Sequence, residues 1–228
     1  IVKTIVTTET IKSIAEQNGF NMYDCYTGFK WIAAVIRDNE GVGRYLGGGE
    51  ESYGFLAEDF CRDKDAVSAI SLMAEALAWA KTKNMNFLQM LQDIYIKYGY
   101  SHEAGISLVR KGKTGAEEIV AIMKSFRENP PKQLAGSDVV TVKDYADLNM
   151  KNLKTGEITK MDMPTTSNVL QFFTADGTKV SIRPSGTEPK IKFYVEVKGE
   201  MKTNADYAKA NNEANAKIEA IKKDLGID

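Results

Sequence analysis

Two hydrophobic periods share this chain, and the change from one to the other divides it. The apolar run Val2–Val6 reads as a strand that leads through Thr7-Thr8-Glu9 into a helix carrying Ile11, Ile14 and Ala15, closed by Gly19. A second strand, Met22–Cys25, passes through Thr27-Gly28-Phe29-Lys30 into a helix with Trp31, Val35 and Ile36 on its apolar side. After the Gly41-Val42-Gly43 turn come a short strand, Arg44–Leu46, and a glycine-rich loop from Gly47 to Gly54. Strand and helix in alternation predict an α/β layer around a largely parallel sheet. Ligands of such sheets sit beyond the carboxyl ends of the strands, where Thr27–Lys30 and Gly49–Ser52 both fall.

Asp65 opens a long helix in which Val67, Ile70, Met73, Ala74, Leu77 and Trp79 recur at roughly helical spacing, and the Met and aromatic residues of this helix and the next are expected in the core. Asn86 caps the next helix, which carries Leu88, Leu91, Tyr95 and Tyr98 and ends at Gly99. The pattern then loosens, with Gly105, Gly112 and Gly115 close together, and a domain boundary is placed near residue 105. Domains of 1–105 and 106–228 are expected.

The second half alternates with period two. A helix near Ala116–Phe126 precedes strands Val139–Val142, Val169–Phe173, Lys179–Ile182 and Ile191–Val197, with Ala175-Asp176-Gly177-Thr178 as a hairpin turn. A last helix lines up Tyr207, Ala210, Ala214, Ile218, Ile221 and Leu225. Hairpin-joined strands with helices at the ends predict a smaller α+β domain built on an antiparallel sheet.

Within that half, Arg183-Pro184-Ser185-Gly186-Thr187 separates two strands. In the strand after it, Ile191, Phe193, Val195 and Val197 face the core while Lys192, Tyr194 and Glu196 are expected to face water. The loop composition suits an anion. Arg183 offers a planar fork of donors, Ser185 and Thr187 add hydroxyls, and Gly186 can take the positive φ that turns N–H groups inward. An ordinary surface hairpin uses the same residues.

Composition narrows the chemistry. A net charge of −1 and a pI near 6.1 give no global field for nucleic acid or an acidic membrane. His102 is the single histidine, which leaves no raw material for a histidine metal site or triad. Cys25 and Cys61 lie outside any C-x-x-C spacing and read as reduced thiols of a cytoplasmic protein. No apolar run approaches the ~20 residues of a transmembrane helix. Because Ile1 already lies inside a strand, the chain is expected to be a C-terminal fragment of something longer.

Gly49-Glu50-Glu51-Ser52-Tyr53-Gly54 resembles the sugar-binding loop of the α-D-phosphohexomutases, the superfamily of phosphoglucomutase and phosphomannomutase. Arg183-Pro184-Ser185-Gly186-Thr187-Glu188-Pro189-Lys190 is similar to their phosphate-binding loop, and Thr27–Lys30 and Arg62–Asp65 resemble stretches lining the same cleft. The likeness spans nearly the whole chain, as the third and fourth of four family domains. It implies that Glu50 and Ser52 hold sugar hydroxyls and that Arg183, Ser185, Gly186 and Thr187 hold the substrate phosphate. Thr27, Gly28, Lys30 and Lys64 would serve as auxiliary cleft residues, and Glu51 as a solvent-facing or supporting group.

The resemblance further implies interconversion of hexose 1- and 6-phosphates through a hexose 1,6-bisphosphate, which also serves as activator, with Mg²⁺ as cofactor. The family's phosphoserine nucleophile and metal loop belong to its first two domains. No catalytic residue and no metal ligand is therefore expected here, and the missing N-terminal domains become the expected partners. Ser101-His102 only faintly echoes the nucleophile loop. A stand-alone phosphosugar-binding module is the competing expectation. A partner-binding scaffold would need a large exposed apolar patch, against which the polar outer helix faces argue.

Overall fold

The computed structural model describes residues 1–110, 112–186 and 188–227. The chain separates into two compact units, one formed by Ile1–Tyr100 with Glu200–Tyr207, the other by Ser101–Gly199 with Ala208–Asp228.

The first unit runs β1 (Val2–Thr4), α1 (Thr10–Gln17), β2 (Tyr23–Cys25), α2 (Phe29–Asp38), β3 (Gly47–Gly49), β4 (Phe55–Ala57), α3 (Ala66–Thr82) and α4 (Phe87–Tyr98). Its sheet has the order β2-β1-β3-β4, with β1 parallel to both neighbours and only β4 antiparallel. The α/β class predicted from alternating periods is what forms. α2 drives Phe29, Ile32 and Ile36 against Val2, Cys25 and Leu56 of the sheet. Asp65 caps α3, its Oδ2 accepting the Ser68 N–H at 2.8 Å. Asn86 and Gln89 form a reciprocal capping box on α4. Tyr95, Tyr100 and Tyr207 stack edge to face, tying segment 200–207 to this unit.

Two expectations fail here. The third strand is not Arg44–Leu46 but Gly47–Gly49, because only glycine fits against β1. A Cβ on Gly48 would lie 2.5 Å from the Val2 carbonyl oxygen and 2.6 Å from the Tyr45 hydroxyl. The apolar residues of α3 are not core. Val67 is 74% exposed, Ile70 69%, Met73 53%, Leu77 50% and Trp79 52%, and Ala80 alone is buried among the residues of α3. Apolar residues circle this helix instead of forming one stripe, so β4 and α4 cannot cover them. The outer helix faces are therefore not all polar, and α4 adds Leu88 and Leu91 to the exposed apolar surface.

The second unit contains β5 (Tyr100–Val109), α5 (Gly112–Glu128), β6 (Gln133–Leu134), β7 (Ser137–Asp144), β8 (Asn149–Asn152), β9 (Ile158–Lys160), β10 (Leu170–Thr174), β11 (Lys179–Pro184), β12 (Lys190–Gly199) and α6 (Tyr207–Leu225). Its sheet runs β5-β12-β11-β10-β7-β8-β9, with β12 through β9 successive antiparallel neighbours and β6 paired to β7. One face is the core: Phe172, Val180, Ile182, Ile191, Phe193, Val195 and Val197 are buried, and Phe126 of α5 packs on Phe172 and Phe193.

The wet face predicted for β12 is only partly wet. Glu196 is 2% exposed because Lys179, directly opposite it in register, meets its Oε2 at 3.1 Å, while Lys198 and Ser101 reach its Oε1. β5 carries few apolar residues in its first half, which is why the sequence pattern loosened where a strand forms.

Asp176 holds the β10–β11 turn. Its carboxylate accepts from the Thr174 hydroxyl at 2.6 Å, the Thr178 hydroxyl at 2.9 Å and the Lys217 ammonium at 2.6 Å. Partial burial pushes its pKa up, but those hydrogen bonds outweigh burial and hold the carboxyl well below the usual carboxylate range. A pKa lower in the folded than in the unfolded chain adds stability above the unfolded value and loses it as pH falls. Urea unfolding between about pH 5 and about pH 2 should therefore show steadily falling stability. Asp176→Asn should flatten that slope and lower stability at neutral pH. An unaltered slope would remove Asp176 from the acid response.

Candidate functional site

In the first unit, residues Glu50–Gly54 join β3 to β4 at the carboxyl edge of β1. The Glu50 N–H donates to the Gly54 carbonyl at 2.8 Å and closes the loop. Gly54 is buried, and a Cβ there would lie 2.9 Å from Glu50 Cγ and 3.2 Å from Lys64 Cδ, so the Lys64 stem lies beside the loop. Glu50 Oε2 accepts the Gly28 N–H at 3.1 Å, and Gly28 takes φ 115° as it starts α2. Glu50, Gly28 and Lys64 are thus brought together.

Ser52 and Tyr53 form the exposed tip. Tyr53 has φ 66°, a left-handed conformation that costs a non-glycine residue of order 1–3 kcal/mol unless its surroundings enforce it. Glu51 is neither solvent-facing nor loose. Its Oε2 accepts from the hydroxyls of Thr4 at 3.1 Å and Thr7 at 3.3 Å. The Thr27 hydroxyl is buried without a partner among the described residues, and an unmet buried donor costs about 1–3 kcal/mol. Lys30 is exposed with its ammonium 5.2 Å from the Trp31 ring centre, and the Lys64 ammonium sits 3.1 Å from Asp63. The sequence pattern gave no sign that Glu51 reaches β1.

In the second unit, the loop between β11 and β12 borders a hollow of about 350 Å³ lined by Arg183, Ser185, Gly186, Glu188, Lys190 and Lys192. Arg183 and Lys192 are directly opposite each other across the two strands. Like charges in that position repel, and among the described residues no carboxylate pairs with Arg183. Glu188 pairs with Lys190, which lowers the Glu188 pKa, so the surplus charge lies at Arg183 and Lys192. The Ser185 N–H donates to the Lys190 carbonyl at 2.8 Å and closes the turn. It is therefore committed to the hairpin. Gly186 is exposed and does not adopt a positive φ, contrary to the inward-turned amides expected of it, and a Cβ there would meet nothing within 4 Å. The fold itself does not require glycine at that position. Thr187, the remaining candidate, lies outside the described residues.

Other chemistry is poorly provided for. Ser101 is buried, its hydroxyl held by Glu103 and Glu196, so it is not placed as a nucleophile. Burial pushes the Cys25 thiol up to about 12. Among the described residues no three His, Cys, Asp or Glu side chains cluster to hold a metal ion, and Asp176 is committed to its turn. The Mg²⁺ implied by resemblance has no fitting donor set there. No described helix is long and apolar enough to cross a membrane.

This fold, an α/β layer followed by an antiparallel α+β unit with a polar loop on each, defines a class before it defines a family. The profile "Phosphoglucomutase/phosphomannomutase, alpha/beta/alpha domain III" matches residues 1–98, and the profile "Phosphoglucomutase/phosphomannomutase, C-terminal domain" matches residues 107–214. The chain belongs to the phosphoglucomutase/phosphomannomutase family, as its third and C-terminal domains. A phosphoglucomutase of Staphylococcus aureus (strain MRSA252) is 36% identical over 198 residues, 87% of this chain and 36% of that protein. One from Staphylococcus haemolyticus is 34% identical over 197 residues, 86% of this chain and 35% of that protein. The chain thus spans about a third of the length of these relatives. In fold it is similar to the Paramecium phosphoglucomutase pp63/parafusin, with a TM-score of 0.58, 17% identity, and 99% of this chain and 38% of that one covered. A putative phosphomannomutase from Thermus thermophilus is similar at a TM-score of 0.54 and 17% identity, covering 96% of this chain and 36% of that one.

The open space at Gly186 separates binding from folding. Gly186→Ala should leave the melting temperature within error, because beyond its chain neighbours the added methyl meets no described atom within 4 Å. It should weaken inorganic phosphate binding several-fold by crowding the anion. Thermal melting and an NMR phosphate titration measure the two effects. Equal phosphate affinity in both forms would show that no anion approaches Gly186.

Proposed function

We propose that this chain supplies the substrate-holding third and C-terminal domains of a phosphohexomutase, which interconverts hexose 1- and 6-phosphates through a hexose 1,6-bisphosphate. The observation that carries the reading is the Arg183–Lys192 juxtaposition, two like charges with no carboxylate on Arg183 among the described residues, on the loop whose composition suits a phosphate. An anion offsets that repulsion, and the Arg183 fork matches two phosphate oxygens where a lysine could not. Such a grip is indifferent to which sugar carbon bears the phosphate. In the first unit, Glu50 and Ser52 are the hydroxyl-binding pair, with Gly28 orienting the Glu50 carboxylate. Thr27, Lys30 and Lys64 serve as auxiliary groups there.

The reacting phosphoryl group and Mg²⁺ belong to the remaining domains of the whole enzyme in this reading, and the chain alone does no chemistry. The exposed apolar residues around α3 form the surface assigned to those domains. Relatives about three times as long supply a partner of the right kind, and burying Val67, Ile70 and Trp79 favours contact at about 25 cal/mol per Å².

Two measurements test this reading. In a coupled assay with glucose 1-phosphate, Mg²⁺ and glucose 1,6-bisphosphate, the chain should show no turnover. In the full-length parent, Glu50→Ala should lower kcat/KM by about 10–150-fold, the loss of one charge-assisted hydrogen bond of roughly 1.5–3 kcal/mol. Turnover that scales with the purified chain, or an unchanged kcat/KM, contradicts the assignment. The α3 surface has its own readout. In a background where Trp31 and any tryptophan of the other domains are Phe, Trp79 should emit as a water-exposed indole in the chain and shift to the blue in the full-length parent. Identical spectra would leave α3 uncovered.

A further inference from the structure

We propose that Glu51 is a positioning residue that fixes the sugar loop for hydroxyl recognition, an inference that rests on the reading of Glu50 and Ser52 above. A glutamate in an exposed loop is ordinarily solvated. This one reaches back to Thr4 and Thr7, 47 and 44 residues earlier, and its Oε2 accepts from both hydroxyls. Thr4 is entirely buried and Thr7 is 7% exposed. Thr4 ends β1 and is paired with Cys25 of β2, so its hydroxyl is a buried anchor on the sheet.

The neighbouring carboxylate is held elsewhere, Glu50 by the Gly28 N–H at the start of α2. Two successive side chains are therefore anchored to two different elements, and the loop is closed from Glu50 to Gly54. The tip between those anchors has little freedom left, which accounts for Tyr53 keeping a left-handed φ. Glu51 contacts no sugar in this scheme. It holds the backbone that carries Ser52 and Glu50 in place, so that ordering of the loop is complete before ligand arrives.

The same geometry separates this role from a structural one. The Thr4 and Thr7 hydroxyls also lie 2.9 Å from each other, so they keep a partner when Glu51 is removed. Glu51→Ala should fold.

The test is an NMR titration of the isotope-labelled chain with glucose 6-phosphate and, separately, inorganic phosphate. In wild type, the Ser52 amide should respond to glucose 6-phosphate only and the Gly186 amide to both. Glu51→Ala should raise the Kd read at Ser52 at least about ten-fold and move the Tyr53 Cα and Cβ shifts off their left-handed values. The Gly186 response to inorganic phosphate and the melting temperature should stay put. Glu51→Gln, which keeps an acceptor oxygen, should remain within about three-fold of wild type. If Glu51→Ala fails to fold, Thr7→Val removes a donor with little change of shape and should weaken the Ser52 response in the same sense. A Glu51→Ala chain that responds like wild type, or one matched in loss by Glu51→Gln, overturns the positioning role while leaving the sugar-loop reading intact. A wild-type Ser52 amide that stays still while Gly186 titrates removes that reading and this inference together.

Discussion

Each of the two sheets is built around a lysine that never reaches water. In the first unit Lys3, at the middle of β1, is wholly buried and pairs with Asp24 at 2.7 Å and Glu9 at 3.0 Å. Burial alone would lower its pKa, but those carboxylates raise it. In the second unit Lys179 and Glu196 meet across β11 and β12, both almost completely buried. A buried charge is tolerated only beside its counter-charges, so Lys3 favours the β1–β2 pairing that brings Asp24 to it, and Lys179 the β11–β12 pairing that brings Glu196 to it. The loops inherit that order. Glu51 anchors one residue beyond Lys3, at Thr4, and Arg183 lies four residues beyond Lys179 on the same strand.

What the sequence disclosed follows from how locally each signal is encoded. Asp65 and Asn86 announce their helices because a cap bonds only three residues away. Ile191, Phe193, Val195 and Val197 announce β12 because burial there has period two. Glu50 and Arg183 stood out through their neighbours in sequence. What could not be read depends on distant contacts. No local pattern reveals that Glu51 reaches Thr4, that Gly48 is a strand residue because Val2 leaves no room for a side chain, or that Lys179 neutralises Glu196. The α3 helix misled for the opposite reason. Its spacing is that of a buried helix, but nothing described in this chain buries it.

The β11–β12 loop and the β3–β4 loop are built on different principles. The β11–β12 loop is a hairpin closed by its own backbone, with charge left over at Arg183 and Lys192. The β3–β4 loop is closed by backbone at Glu50 and Gly54 and then tied by side chains to β1 and α2. The first depends on one pair of strands, and the second on most of a sheet. Arg183 is therefore positioned by the packing of its own unit alone.

The crowding around β3 has a consequence for how such a loop can change over generations. Gly48 and Gly49 cannot accept a side chain without displacing backbone, and Gly54 is closed in by Glu50 and Lys64. Gly48 and Gly49 thus form a frame in which a side chain would collide with backbone, and a Cβ at Gly54 would displace Glu50. The tip between them, Ser52 and Tyr53, is exposed and packs against nothing that the frame needs. Variation is thus channelled to the positions that would meet a ligand. A lineage can change the chemistry of the tip while inheriting the scaffold beneath it unaltered.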